Sequence, residues 1–585
     1  MKINRDVRKL ADVALGKHPA DLVVKDGVLM DVYTGRMLPG RSVAMVDEWI
    51  AYVGPDAEHT VGRETEIIDA GGRIICPGFI DAHTHLINYF NISDFLSYAI
   101  PSGVTTLLTE VESYAFALGA EGVKIFLDQI DPCPIKIYAL VPPMISLSPA
   151  MESRMISKQQ MAGLFNDPRV IGLGESFWQG AILTSDNRVL DLISEAQKAG
   201  KSVQGHAAGA FDRKLAAYAA TGVESCHEAI STEDVLNRLE MGLYAMIREG
   251  DIRRDLEIIL PLKDKVDFRR MILVTDGTNP SLLMQRGYMH DVVQKAVDLG
   301  IDAMDAVRMA TLNPAEHLGL DTLVGGIAPG RHGDLLLLAA PGVMKPEVVI
   351  SKGRVVAERG QMRIAIPDTG YPEPLMNTVK VAPISPLDLR ILKALTDGEK
   401  KVRTLDIQPG GLVAREGRAA PRVLGERLMA DPLNDLLKIV FVECITGRGE
   451  MFVGFVRGWG QKNGAVATTL CWDAGAIVGI GENDEDLAVA VNRVIEMQGG
   501  TAVVVAGTLK MDIPLRAGGY VSELKMPELA ERLDRFQRTM ASLGVIHDFA
   551  HLTLSVLTTS AIPFIRMTEK GYYRFRENDL VGLGF

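Results

Sequence analysis

Ile74-Ile75-Cys76-Pro77-Gly78-Phe79-Ile80-Asp81-Ala82-His83-Thr84-His85 is an apolar, turn-bearing run that ends in two imidazoles one residue apart. Residues two apart on a strand project from the same side. His83 and His85 therefore present two nitrogen donors together, which is half of a divalent-metal site.

Working outward, short apolar runs recur at 78–83, 104–109, 135–141, 170–175, 202–206, 223–227, 243–247 and 271–276. Segments with apolar residues at helical spacing, such as 191–199 and 207–220, lie between them. Eight such βα units over residues 72–320 predict an α/β fold of the (β/α)8 TIM-barrel type; a doubly wound sheet is the alternative. The polar residues choose between the two. His83 and His85, Glu175, His206, His227 with Glu228, and Asp276 fall at the ends of five different predicted strands, where barrel enzymes keep their chemistry.

Four histidines and two carboxylates suit a borderline divalent ion such as Zn, Mn or Fe, and no thiolates are present to favour a softer metal. Glu175 has two oxygens and can offer one to each of two ions. Hydrolysis is the chemistry that needs such a cluster, because coordination lowers the pKa of water from about 15.7 towards about 7. A nearby carboxylate then carries the proton to the leaving group. Asp276 and Glu228 are the candidates for that shuttle; ligation or orientation of a histidine is the alternative for each.

The chain has 585 residues, so more than one core is expected. Its net charge of −12 argues against nucleic-acid binding. Cys76, Cys133, Cys226, Cys444 and Cys471 are scattered and form no CxxC pair, which favours a reducing compartment. No uncharged apolar run reaches membrane-spanning length, and the N-terminus has no signal-peptide pattern. A cytoplasmic protein that does not engage membranes is the expectation. Residues 1–71 and 321–366 share a texture of short strands and turns, and predict one small β-sandwich-like domain made by both flanks of the barrel. Residues 367–585 open on a Pro-rich linker and continue as a separate α/β domain.

These residues resemble the amidohydrolase superfamily and, within it, the adenine deaminases. The superfamily likeness rests on Pro77–His85 as quoted, Met309-Ala310-Thr311-Leu312-Asn313-Pro314-Ala315, Gly326-Ile327-Ala328-Pro329-Gly330 and Gly333-Asp334-Leu335. The narrower likeness adds Asp31-Val32-Tyr33-Thr34-Gly35, Gly172-Leu173-Gly174-Glu175, Cys226-His227-Glu228 and Ile247-Arg248-Glu249-Gly250. Asn483-Asp484-Glu485-Asp486-Leu487 and the residues after it resemble that family's extra C-terminal domain. The resemblance implies two divalent metals, most often Mn2+, with Fe2+ or Zn2+ as alternatives. It casts His83, His85, Glu175, His206, His227 and Asp276 as ligands. It also implies attack of a metal-activated hydroxide on adenine to give hypoxanthine and ammonia, a place in purine metabolism, and a homo-oligomer, dimer or tetramer.

The chain departs from the family pattern at several places. Glu110-Val111-Glu112-Ser113 stands where Asp-Pro-His-Glu is usual, and Ile87-Asn88-Tyr89 where Glu-Ser-Ser is usual. Paired aspartates become Asp276-Gly277, His-Pro becomes Asn279-Pro280, and Cys471-Trp472-Asp473-Ala474-Gly475 replaces a His-containing segment. A remade pocket leaves open another cyclic amide, amidine or lactam as substrate. Glu112 and Trp178 are the candidates for lining that pocket, whereas Trp459 and Trp472 are expected in the core. His547 and His551, four apart, would share one face of a helix but lack the Glu of a helical zinc motif.

Overall fold

The computed structural model describes residues 5–183, 187–393, 401–562 and 564–584. Its centre is a ring of parallel strands: β1 Phe79–Thr84, β2 Val104–Glu110, β3 Lys136–Val141, β4 Val170–Phe177, β5 Ser202–His206, β6 Ser225–Cys226, β7 Tyr244–Arg248 and β8 Met271–Val274. β1–β5 and β6–β8 are two hydrogen-bonded arcs. Glu224 N donates to Val203 O (3.0 Å) between β5 and β6, and Asp276 N donates to His83 O (3.0 Å) between β8 and β1. The ring is thus closed, which excludes the doubly wound sheet.

Strands covered on both sides must be apolar on both faces, and β2 and β3 are buried along their whole length. Ile80, Ala82, Leu108, Tyr138, Leu140, Met246, Ile272 and Val274 fill the barrel interior as one cluster. The helices that return outside it are amphipathic. In Arg188–Lys198, for example, Val189, Leu192, Ile193 and Ala196 are buried, the spacing of one helical face.

The two flanks of the barrel join one nine-stranded sheet. Ile74–Pro77, immediately before β1, pairs antiparallel with Leu335–Leu338, so the sheet is stitched to the start of the barrel by its neighbours in sequence. This sheet wraps one core, because Ile50 and Val43 from one end share a cluster with Val348 and Ile350 from the other.

Beyond the linker, an eight-stranded sheet runs in the spatial order Ala414–Ala419, Val402–Ile407, Met451–Arg457, Leu437–Glu443, Ala476–Gly481, Ala465–Thr468, Gly500–Val505, Thr508–Pro514. Its contacts with the barrel gather on the loops after the strands. Tyr89 N donates to Tyr520 O (3.1 Å) and Ser522 N to Tyr89 O (2.7 Å). Glu569 accepts from Ser148 Oγ and Ala150 N, both at 2.8 Å. The C-terminal region therefore roofs the end of the barrel where the polar residues lie.

Candidate metal centre

His83 lies on β1, Glu175 on β4 and His206 at the end of β5; His85, His227 and Asp276 follow β1, β6 and β8 within two residues. The inner positions of β1 are Ile80 and Ala82, so strict alternation would turn His83 outward. The β1–β2 pairing is irregular between Asp81 and Thr84, and such a bulge re-aims the following side chains. Asp81 fixes the distortion: its carboxylate accepts from His83 N (3.3 Å), Thr275 Oγ1 (2.7 Å) and the Tyr288 hydroxyl (2.6 Å).

Two glycines are close-approach positions. A Cβ on Gly174 would stand 2.1 Å from Glu110 Oε2, and one on Gly250 would stand 2.0 Å from Thr275 O. The first lets Glu110 reach under Glu175, whose backbone N–H donates to Glu110 Oε1 (3.0 Å). The second lets the β7 loop press against the turn that carries Asp276.

Three sets of donor atoms converge. His83, His85, Glu175 and Asp276 form one; Glu175, His206 and His227 a second; His227, Glu228 and Asp276 a third. Within each set the atoms lie within 4.8 Å of one another. Glu175 belongs to the first two, and Asp276 to the first and third. Asp276 Oδ1 stands 3.2 Å from His83 Nε2 and 3.3 Å from His85 Nε2. Glu175 Oε1 stands 3.2 Å from His83 Nε2 and 3.4 Å from both His85 Nε2 and His227 Nε2.

His83 Nε2 is buried and makes no hydrogen bond among the described residues, although two carboxylate oxygens are so near. Imidazoles and carboxylates crowded this closely are what a cation resolves. The donor set, imidazole and carboxylate without thiolate, fits a borderline divalent metal.

The charges are strongly coupled. Burial disfavours charge on His83, but Asp276 and Glu175 outweigh it and push the imidazole up to about 10. His227 goes down to about 3 through burial and the nearby His83. Burial alone would raise Glu175 and Asp276, yet the histidines around them hold both well below the usual carboxylate range. Glu110, buried and beside Glu175, is pushed well above it.

Arg248, at the end of β7, ties the set together. It donates to Glu228 and to Asp276 Oδ2 (3.2 Å), and lies 3.3 Å from Asp255. Burial and then Glu228 act on it most strongly, and the three acids hold its guanidinium firmly charged. Replacing Arg248 by Met would leave buried acids facing one another. Chemical denaturation should show a loss of about 3–5 kcal/mol.

The cluster opens into a cavity of about 280 Å3, lined by Glu112, Phe177, Trp472, Asp473 and Tyr520 besides the donor residues. A second cavity of about 190 Å3 shares His85, Asp276, Ile252 and Trp472 with it. Residues 412–579 match the adenine deaminase C-terminal domain, and residues 74–356 match the amidohydrolase family. The adenine deaminase of Moorella thermoacetica is 34% identical, over 98% of this chain and 98% of its own. Adenine deaminase 1 of Carboxydothermus hydrogenoformans is 36% identical over 96% of each chain.

The chain belongs to the adenine deaminase family.

Within that family's frame, the departures seen in the sequence collect around the two cavities. Glu112, Ser113 and Asp473 line the first; Asn88, Tyr89, Gly277 and Asn279 line the second; Trp472 lines both. The donor residues of the barrel and the surrounding wall thus follow different patterns.

Glu112 faces the first cavity, but one oxygen is committed: His85 Nδ1 lies 2.7 Å from Oε1. That bond aims His85 Nε2 at the cluster, while Oε2 is buried and has no partner among the described residues. Replacing Glu112 by Ala should weaken divalent-metal affinity roughly 10–100-fold, measured by competition with a chelator.

Trp178 is not among the lining residues. It opens the short helix Trp178–Ile182 and turns its indole N–H to Ala208 O (2.8 Å), so Phe177 takes the wall position instead. Trp472 is the converse: expected in the core, it stands in the wall. Trp459 does lie in the core, its indole bonded to Gln461. His547 and His551 do not share a helix, because the helix is Ala550–Ser555. His547 Nε2 meets Gly458 O and His551 Nε2 meets Thr501 Oγ1. Glu110 and Arg248 are site residues that were not expected from the sequence. An acid closing the apolar strand β2 was a usable signal for the first; nothing local marked the second.

Proposed function

We propose that this protein deaminates adenine to hypoxanthine and ammonia, with His83, His85, Glu175, His206, His227 and Asp276 holding two divalent cations, Mn2+ in preference to Fe2+ or Zn2+. The observation that carries this reading is likeness over nearly the whole chain to proteins named adenine deaminase, barrel and C-terminal region alike. That span does not favour ring opening of another cyclic amide or lactam.

Bound cations would supply Lewis acidity, which makes water a nucleophile at neutral pH. The residues do the rest. Asp276, with Oδ2 fixed by Arg248, takes a proton from the attacking water and returns it to the departing amino nitrogen. Glu228, held by the same guanidinium, exchanges a proton with the ring nitrogen beside C6 as that atom gains electron density. Glu112 holds His85 Nδ1 and so keeps the other ring nitrogen of His85 aimed at the donor cluster. The roof formed by Trp472 and Tyr520 limits bulk water around the ring.

Cysteines that are all free and buried support a reducing, cytoplasmic setting for this purine enzyme. Among the described residues, no helix is long and apolar enough to cross a membrane. The test is Mn2+-loaded protein with adenine. Hypoxanthine and ammonia should appear in equal amounts; adenine recovered unchanged would reject the proposal.

A further inference from the structure

The loop 471–475 of the C-terminal region enters the cavity wall, and its backbone is tied down almost residue by residue. The Tyr520 hydroxyl donates to Cys471 O (2.8 Å), Trp472 N to Ser555 O (3.0 Å), and Thr558 Oγ1 to Trp472 O (2.6 Å). Ser146 Oγ, from the barrel loop after β3, donates to Asp473 O (2.5 Å). Asp473 itself sits at φ 61°, a left-handed conformation that Asp tolerates better than most residues.

Its side chain is only 8% exposed and is used unevenly. Oδ2 accepts from Thr559 Oγ1 (2.5 Å), Ser560 N (2.9 Å) and Ser560 Oγ (3.2 Å). No hydrogen bond from the described residues reaches Oδ1. The residue lines the same cavity as His85, Glu175 and Asp276. A buried carboxylate with one oxygen saturated and the other lacking a donor, on a loop held this firmly, is built to accept an N–H from a ligand.

We propose that Asp473 is a specificity-determining residue whose free oxygen accepts the imidazole-ring N–H of a purine, so that the site takes free bases and rejects 9-substituted purines, nucleosides included. This rests on the deaminase reading of the site. Adenine carries N–H groups in two places only. The exocyclic amino group is bonded to the carbon under attack and stays with the strand-end residues of the barrel. The imidazole edge is on the far side of the ring, towards the roof that carries Asp473. The ring nitrogens of the six-membered half are acceptors and offer a carboxylate nothing.

The experiment compares adenine with 9-methyladenine, which lacks that N–H, in the Mn2+-loaded full-length protein. The wild type should prefer adenine by at least about 10³-fold in kcat/KM, since a site built around a hydrogen bond rejects the analogue that cannot make it. Asp473→Asn keeps the tolerance for a left-handed backbone. Its amide oxygen would stay with Thr559 and Ser560, turning the NH2 group, a donor, into the cavity. Adenine should then lose roughly 10²-fold, mainly in KM. The activity on 9-methyladenine should hold or rise, because its N7 is an acceptor. Asp473→Ala, with metal content and Tm checked, should collapse the preference in the same way.

A purely structural role would lower both substrates together and leave the ratio unchanged, which overturns the proposal. So does a wild type that uses 9-methyladenine as well as adenine. If the wild type deaminates neither, the reading of the site falls and the assignment falls with it.

Discussion

Asp276→Asn is expected to lower kcat for adenine deamination by about three to four orders of magnitude, at saturating metal, with the fold retained. The carboxylate joins the donor cluster and also faces the cavity. Oδ1 lies among His83 and His85, and Oδ2 takes the Arg248 hydrogen bond. An amide keeps the size but cannot carry a proton from water to the leaving nitrogen. Because the substitution also weakens one donor, kcat must be read at metal concentrations that restore full occupancy. A variant that keeps more than about a tenth of the wild-type kcat would remove Asp276 from the proton path.

Glu175→Gln is expected to cost even more, by a different route. Glu175 is common to two donor sets, and only a carboxylate offers two equivalent oxygens. Glutamine retains one oxygen and puts an N–H where the second belongs. About one ion per chain should be lost, and deamination should fall by roughly 10³-fold or more. The effect extends to stability. A ligand that binds only the folded state stabilises it by about 2.7 kcal/mol at a hundred times its Kd, so Mn2+ should raise the Tm of the wild type and chelators lower it. The variant should show a distinctly smaller shift. An equal Mn2+-dependent rise in Tm for both proteins would mean that Glu175 bridges nothing.

The parts of this molecule legible in the sequence were those whose signal is local. Each barrel strand announces itself as a short apolar run, and each strand-end histidine or acid stands out against it. What stayed hidden depended on contacts between distant segments. The bulge that turns His83 inward is a property of β1–β2 pairing, and period-two alternation gives no hint of it. Arg248 could be quoted within a motif, yet its role comes from Glu228, Asp255 and Asp276, brought together only by closure of the ring. Trp178 and Phe177 exchanged places because a helix begins at Trp178 and rotates the indole away. Trp472 and Asp473 are more than 190 residues from any barrel donor, so their place in the wall follows from domain packing alone. The departures from the family pattern were visible at once; that they surround two adjoining cavities was not.

The most direct test is elemental analysis of the wild-type protein after equilibration with excess Mn2+ and removal of free metal. Imidazoles and acids from five strand ends, sharing one carboxylate, predict about two ions per chain. The double variant His83→Ala and Glu175→Ala should fall well below one. A wild type that retains less than one ion per chain under these conditions would contradict the account.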